Sequence, residues 1–440
     1  MNIEQPVAPP LTLHRNLPRL LRALLRLAQF ALVTVAMLAL LGRSTLDANG
    51  VTWARVNTEI SGWGWDIIGW EAAAIAGKLR AGLDQPVAHL DAPARAAVVR
   101  DYVARSERID GLEGQINRLA AAAGSQITPE LAQVQAAIDG LRHEQHLRQA
   151  AVEQIIEGQV GEQLAAAGLT VGNTVLPPVL FTFSEAPRKL IVSPRHRIDT
   201  AYWAMLDPEL PVDARERIET AIFANEDLSA YVTHIGGLGA FPTLVIDRGG
   251  LPWLLSTVAH EWVHNYLTLF PLGISYGQDA EVTILNETVA DIVGDEIGAA
   301  ALAQHYPELV PPPTAAETGS PAVGEPLAAP PAFDFAREMR HTREIVDTFL
   351  ALGRVEDAEQ YMEIRRLLFV ENGYNLRKLN QAYFAFHGNY GTGAAASSPI
   401  GPDLLRLREL APDLRTFLET VRWFTSADDL TRALAEWSDQ

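Results

Sequence analysis

The residues with the clearest chemical potential are His260, Glu261 and His264, set in the run His260-Glu261-Trp262-Val263-His264. This HExxH spacing lies inside the apolar stretch from Leu254 to Leu267, which reads as a helix. Four residues are about 400° of α-helical turn, so both imidazoles leave one face and can chelate one ion, with Glu261 beside them as a candidate base. The competing explanation is a pair of hydrogen-bonded core histidines. The chain has no cysteine, which removes thiolate sites and thiol nucleophiles, so a metal must sit on His, Asp and Glu.

A catalytic ion held by two histidines needs a third protein ligand. The metzincin pattern would put glycine three residues and histidine six residues after His264, and those positions hold Leu267 and Phe270. Further on comes Asn286-Glu287-Thr288-Val289-Ala290-Asp291, in a segment with helical spacing at Leu285, Val289, Ile292, Val293 and Ile297. Glu287 and Asp291 share a face there, and Gly294 and Gly298 continue the stripe, allowing close approach to the HExxH helix. Glu281 is a competing third ligand without a paired downstream aspartate.

HExxH followed by a helix carrying NExxxD resembles the thermolysin-like gluzincin peptidases, over roughly residues 225 to 300. The resemblance implies that His260, His264 and Glu287 bind Zn²⁺, that Glu261 is the general base, and that Asp291 orients a ligand histidine. The residues themselves agree, since two neutral imidazoles and one carboxylate leave zinc a net positive charge and an open position for water. Tyr390 and His387, in the stretch Leu379 to Gly391, are candidates to stabilise an oxyanion. That stretch is also similar to the end of a bacterial putative-aminopeptidase family that carries HExxH. The glycine-bearing segment from His234 to Ile246 resembles in position the edge strand on which gluzincins lay substrate backbone. No GxMEN-like exopeptidase motif precedes the HExxH helix, so aminopeptidase and endopeptidase action both stay open.

The expected function is zinc-dependent hydrolysis of peptide bonds through a metal-activated water. The rival is a membrane-tethered, non-catalytic scaffold with a structural or inactive metal site. A retained Glu261 favours the peptidase, because a purely structural site needs no base beside its ligands. Peptide or protein is the expected substrate. A net charge of -19 leaves no basic field for phosphates, which excludes sequence-independent nucleic-acid binding.

The elements that must position these residues read as follows. Residues 1 to 26 carry four arginines against Glu4, a local charge of +3, ahead of an apolar run from Leu27 to Gly42 broken by Gln29 and Thr34. Extended back to Ala23 it reaches twenty residues, which predicts a transmembrane anchor over 23–42 with the N-terminus cytoplasmic and the catalytic part extracytoplasmic. A cleaved signal peptide and a buried core helix are the alternatives. Residues 44–167 read as a helical hairpin, with seams at Ile109, Leu112, Ile116 and Leu119 and at Leu131, Val134, Ile138 and Leu141, broken near Gly124.

Short β-rich runs at Val179 to Phe183 and Leu190 to Ser193 open a zincin-like catalytic region over 168–310. A proline-rich loop or linker follows at 311–333, and a C-terminal helical part at 334–440 completes the catalytic unit. The expected fold class is therefore α+β and predominantly helical: transmembrane anchor, helical hairpin, and a zincin-like domain with a small sheet.

Overall fold

The computed structural model describes residues 48–84, 87–123, 129–277, 280–310, 333–388, 390–391 and 398–438. Among these, fourteen α-helices and six short strands form a mostly helical protein with two small sheets. The described residues open with α1 (Ala48–Glu59) and α2 (Ile67–Asp84), then the long pair α3 (Ala92–Ala123) and α4 (Pro129–Ala166). Pro129 opens α4, where its missing N–H costs nothing. Ile109, Val134 and Ile138 form a cluster with Leu112, Ile116, Leu119 and Leu141, so the apolar spacing becomes the surface between α3 and α4. Nearer the other end of the pair, Val99, Tyr102, Val152, Ile156 and Leu164 enter the main core.

The strands are β1 (Phe181–Phe183), β2 (Arg188–Pro194), β3 (Tyr202–Leu206), β4 (Leu228–His234), β5 (Gly237–Leu238) and β6 (Thr243–Val245), with α5 (Val212–Glu226) between β3 and β4. One sheet is antiparallel in the order β3-β2-β4, and Lys189 faces Met205 and Thr233 across its ladders. The other runs β1-β6-β5, with β1 parallel and β5 antiparallel to β6, so β5 is an edge.

The helix α6 (Leu251–Leu267) carries the HExxH residues and starts at Gly250 with a proline in its first turn. After the short α7 (Pro271–Ile274) comes α8 (Ala280–His305), which carries Glu287 and Asp291. The main core gathers the apolar faces of α6 and α8, including Leu255, Val258, Trp262, Leu285, Val289 and Val293. It is completed from the C-terminal part by α12 (Ile400–Leu410), α13 (Leu414–Val421) and α14 (Ala427–Ser438). A second cluster joins α9 (Phe335–Ala351), α10 (Val355–Glu371) and α11 (Gln381–His387) around Met339, Val346, Met362, Phe369 and Phe384. Of the proline-rich stretch only Phe333 is described, and it packs against Phe369 and Tyr374.

One part of the expected architecture is corrected. The transmembrane anchor assigned to residues 23–42 lies outside the described residues, and among the described residues no helix is long and apolar enough to cross a membrane. The two longest helices, α3 and α4, carry charge along their course, from Arg95, Arg100 and Asp101 to Asp139, Arg142 and Glu157. Hydrocarbon would strip water from each of those groups. The fold stands as mostly helical with small sheets, and the single-pass membrane placement, with a cytoplasmic N-terminus and an extracytoplasmic catalytic part, is not supported.

Candidate metal centre

The close pairing of α6 with α8 sets the geometry. A Cβ added to Gly294 would come within 2.9 Å of the His260 Cβ, and one added to Gly298 would come within 2.6 Å of the Ser256 amide nitrogen. Only glycine at these positions lets the two backbones approach so closely. The Glu287 carboxylate is thereby carried to the ligand face of α6. His260 Nε2 and His264 Nε2 are 3.0 Å apart, and Glu287 Oε2 is 3.6 Å from each.

These three atoms form the described cluster capable of holding a metal ion. A point equidistant from them lies about 2.0 Å from each, the length of a zinc bond to imidazole nitrogen or carboxylate oxygen. The donor set therefore fits Zn²⁺ in both chemistry and size.

Both imidazoles are fixed from behind. His260 Nδ1 lies 3.1 Å from Asp291 Oδ1, so its Nδ1–H donates to the carboxylate and its Nε2 lone pair is left for a metal. His264 Nδ1 donates to Asn286 Oδ1 at 2.8 Å, and Asn286 Nδ2 donates to the Leu272 carbonyl at 3.2 Å, which settles which end of the amide faces the ring. The sequence pointed to Asp291 in this role but not to Asn286. Tyr276 is a further unanticipated member, donating its hydroxyl to Glu287 Oε1 at 2.5 Å.

Electrostatics follows from this crowding. Burial opposes ionisation of Glu287, but the adjoining imidazoles overcome it and hold its carboxyl well below the usual carboxylate range. Burial works against charge on His260 as well, yet hydrogen bonds to Asp291 and Glu287 outweigh it and push its pKa up to about 10. Glu261 is different. It is buried, its carboxylate makes no hydrogen bond among the described residues, and burial raises its pKa against the pull of His260, His264 and Lys189. Its carboxylate lies against the β5 backbone, where a Cβ on Gly237 would sit 2.3 Å from Oε1.

The centre opens into a cavity of about 980 Å³ whose lining includes Gly236, Gly237 and Gly239 together with Lys189, Trp203, Phe386 and Tyr390. That volume suits several residues of an extended peptide. Tyr390 reaches the cavity because the next residue is pinned: the Gly391 amide donates to Thr288 Oγ1 at 3.0 Å, and Gly391 packs directly on Gly401. Proximity to the Glu287 carboxylate, then burial, raises the Tyr390 phenol well above its ordinary value, so it remains a protonated donor.

His387 is placed elsewhere. It does not line the cavity, and its ring sits among Tyr231, Tyr383 and Phe386, where burial lowers its pKa to about 4. The side chain is a half-buried imidazole packed among aromatic rings, outside the lining that Tyr390 joins. Glu281 lies at the start of α8, outside the metal-capable cluster and the cavity lining.

Compared with known proteins, the chain matches no family model, no curated protein and no solved structure.

Proposed function

We propose that the protein is a zinc-dependent peptidase that hydrolyses peptide bonds without a covalent intermediate. The observation that carries this reading is the triangle of His260 Nε2, His264 Nε2 and Glu287 Oε2, with an uncommitted Glu261 beside it at the wall of an open cavity. A zinc held by these three residues would supply positive charge to polarise a carbonyl and to acidify water. Every other step falls to the protein.

Asp291 and Asn286 hold the imidazoles with Nε2 inward, and Tyr276 holds the far oxygen of Glu287. Glu261 accepts a proton from the attacking water and returns it to the departing amine, a role suited to a buried carboxylate whose pKa is raised. Tyr390 donates its phenolic proton in a hydrogen bond to the oxygen on which charge develops. The open side of β5 supplies backbone donors and acceptors that align an extended substrate without reading its side chains.

The test is metal analysis of the purified full chain together with a peptide-library cleavage screen of wild type and Glu261→Gln. Stoichiometric zinc in both proteins is expected, with cleavage falling about 10²- to 10⁴-fold in the variant. Zinc without cleavage of any peptide would favour the non-catalytic scaffold, and unchanged cleavage in Glu261→Gln would reject the assigned base.

A further inference from the structure

Lys189 is a cation of the cavity wall that the chemistry above leaves without a task. Strand alternation turns Lys189 and Ile191 of β2 to the cavity and sends Leu190 and Val192 to the opposite face. The ammonium lies 5.6 Å from the ring centroid of Trp203 and 5.6 Å from that of Phe386, and both rings line the cavity. Two aromatic faces thus fix the position of a flexible side chain.

Among the described residues Lys189 makes no ion pair, whereas Arg197, the other cation of the lining, pairs with Asp199 at 3.2 Å. Burial lowers the Lys189 pKa against the weaker pull of Glu287 and Glu261; Glu287 faces the imidazoles and Tyr276, and Glu261 is assigned to proton transfer. An ammonium drawn out of water and held by two rings, with no ion pair of its own, regains its full charge when a carboxylate enters the cavity beside it. The anion it suits carries one charge. Asp199, Glu261, Glu287, Asp291 and Asp295 share the lining, so a dianion would meet repulsion that a single compact charge on Lys189 could not offset.

We propose that Lys189 is a substrate-binding residue that receives a carboxylate of the bound peptide, either its free C-terminus or an acidic side chain close to the cleaved bond. This inference rests on the peptidase reading of the neighbouring centre. The net charge of -19 does not argue against it, because recognition depends on the local lining of the cleft rather than on the sum over the chain.

The experiment pairs peptides that differ only in Glu against Gln near the scissile bond, or in a free against an amidated C-terminus. Cleavage and calorimetric binding are followed for the full-length wild type, Lys189→Met and Lys189→Arg, with zinc content measured in each. Wild type should prefer one member of one pair by about 10-fold or more in kcat/KM, the two pairs separating a side-chain from a terminal carboxylate. Lys189→Met should bring that ratio to about one, and Lys189→Arg, which keeps the charge, should retain most of it.

No preference in wild type, or an equal loss on both members of every pair in Lys189→Met, would overturn the proposal. Cleavage without carboxylate preference would leave the peptidase standing and remove the carboxylate site. Lysine-dependent binding of the acidic peptide without cleavage by any protein would do the reverse.

Discussion

Two helix pairs in this protein are joined by opposite means. Between α3 and α4 the contact is a seam of large apolar side chains, Ile109, Leu112 and Ile116 against Val134, Ile138 and Leu141, while the glycines Gly111 and Gly140 stand clear of any neighbour. Between α6 and α8 the glycines are themselves the contact, with Gly294 and Gly298 against the Ser256 and His260 backbone. A seam of side chains holds two helices together while keeping them a side chain apart, so only long polar side chains beside it meet, as Arg142 does with Glu113 at 3.0 Å. Removing the side chains lets polar groups on facing helices meet, and that is how Glu287 comes within 3.6 Å of both imidazoles.

The largest expected separation of the two regions comes from stripping the metal and raising the pH. His260 in the metal-free fold has a pKa of about 10, above the ordinary imidazole value, because Asp291 and Glu287 outweigh the effect of burial. A raised folded-state pKa gives stability that is complete below the unfolded value near 6.5 and is lost as pH climbs through 10. Denaturant unfolding of chelator-treated protein should therefore lose on the order of 4 kcal/mol between pH 6.5 and 10. On the proposed reading a bound zinc would take the proton's place, so loaded protein should not show this loss. The cost of Ile138→Ala in the α3–α4 seam should be the same at both pH values. An equal slope with and without metal would separate His260 from the shared site.

The sequence discloses these regions unequally, for physical reasons. His260, Glu261 and His264 are readable because the helical period fixes their common face, and Glu287 and Asp291 because four residues and a glycine stripe do the same on α8. The α3–α4 seam follows from the same arithmetic. Asn286 was visible beside Glu287, but its role depends on the Leu272 carbonyl presented by α7, which no local pattern encodes. Tyr276 precedes α8 in an irregular segment, and Lys189 reads as an ordinary polar residue near the start of a strand until Trp203 and Phe386 are seen around it. Tyr390 and His387 are three residues apart and chemically similar as donors. They part company because Gly391 is tied to Thr288, about a hundred residues away.

A single methyl group tests the comparison directly. Gly298→Ala gains up to ~1 kcal/mol of helix propensity, but its Cβ would meet Ser256 Oγ at 2.4 Å, the amide nitrogen at 2.6 Å and Cα at 2.7 Å. Two of those atoms belong to the backbone and cannot rotate away, so α8 must shift. Overpacking of this kind costs about 1–3 kcal/mol, and we expect a net destabilisation of about 2 kcal/mol in urea unfolding. The shift also moves Glu287 from the imidazoles, so zinc affinity in competition with a chelating dye should fall at least ~10-fold. Unaltered affinity would show that the α6–α8 approach does not set the metal site.

The same substitution on α4 should have the opposite sign and a smaller size. Gly140 is exposed, lies inside a regular helix, and has no atom within 4 Å of the position its Cβ would take. Alanine there meets nothing in the folded protein and narrows the freedom of the unfolded chain. Gly140→Ala should stabilise by about 0.5–1 kcal/mol, with zinc content and cleavage unchanged. A destabilising Gly140→Ala would mean that the α3–α4 pair also depends on close backbone contact, and the contrast between a packing seam and a chemical seam would collapse. A stabilising one, set beside a destabilising Gly298→Ala, would show that the sign of a glycine substitution is decided by whether a neighbouring backbone occupies the space, since residue type and helical setting are the same at both positions.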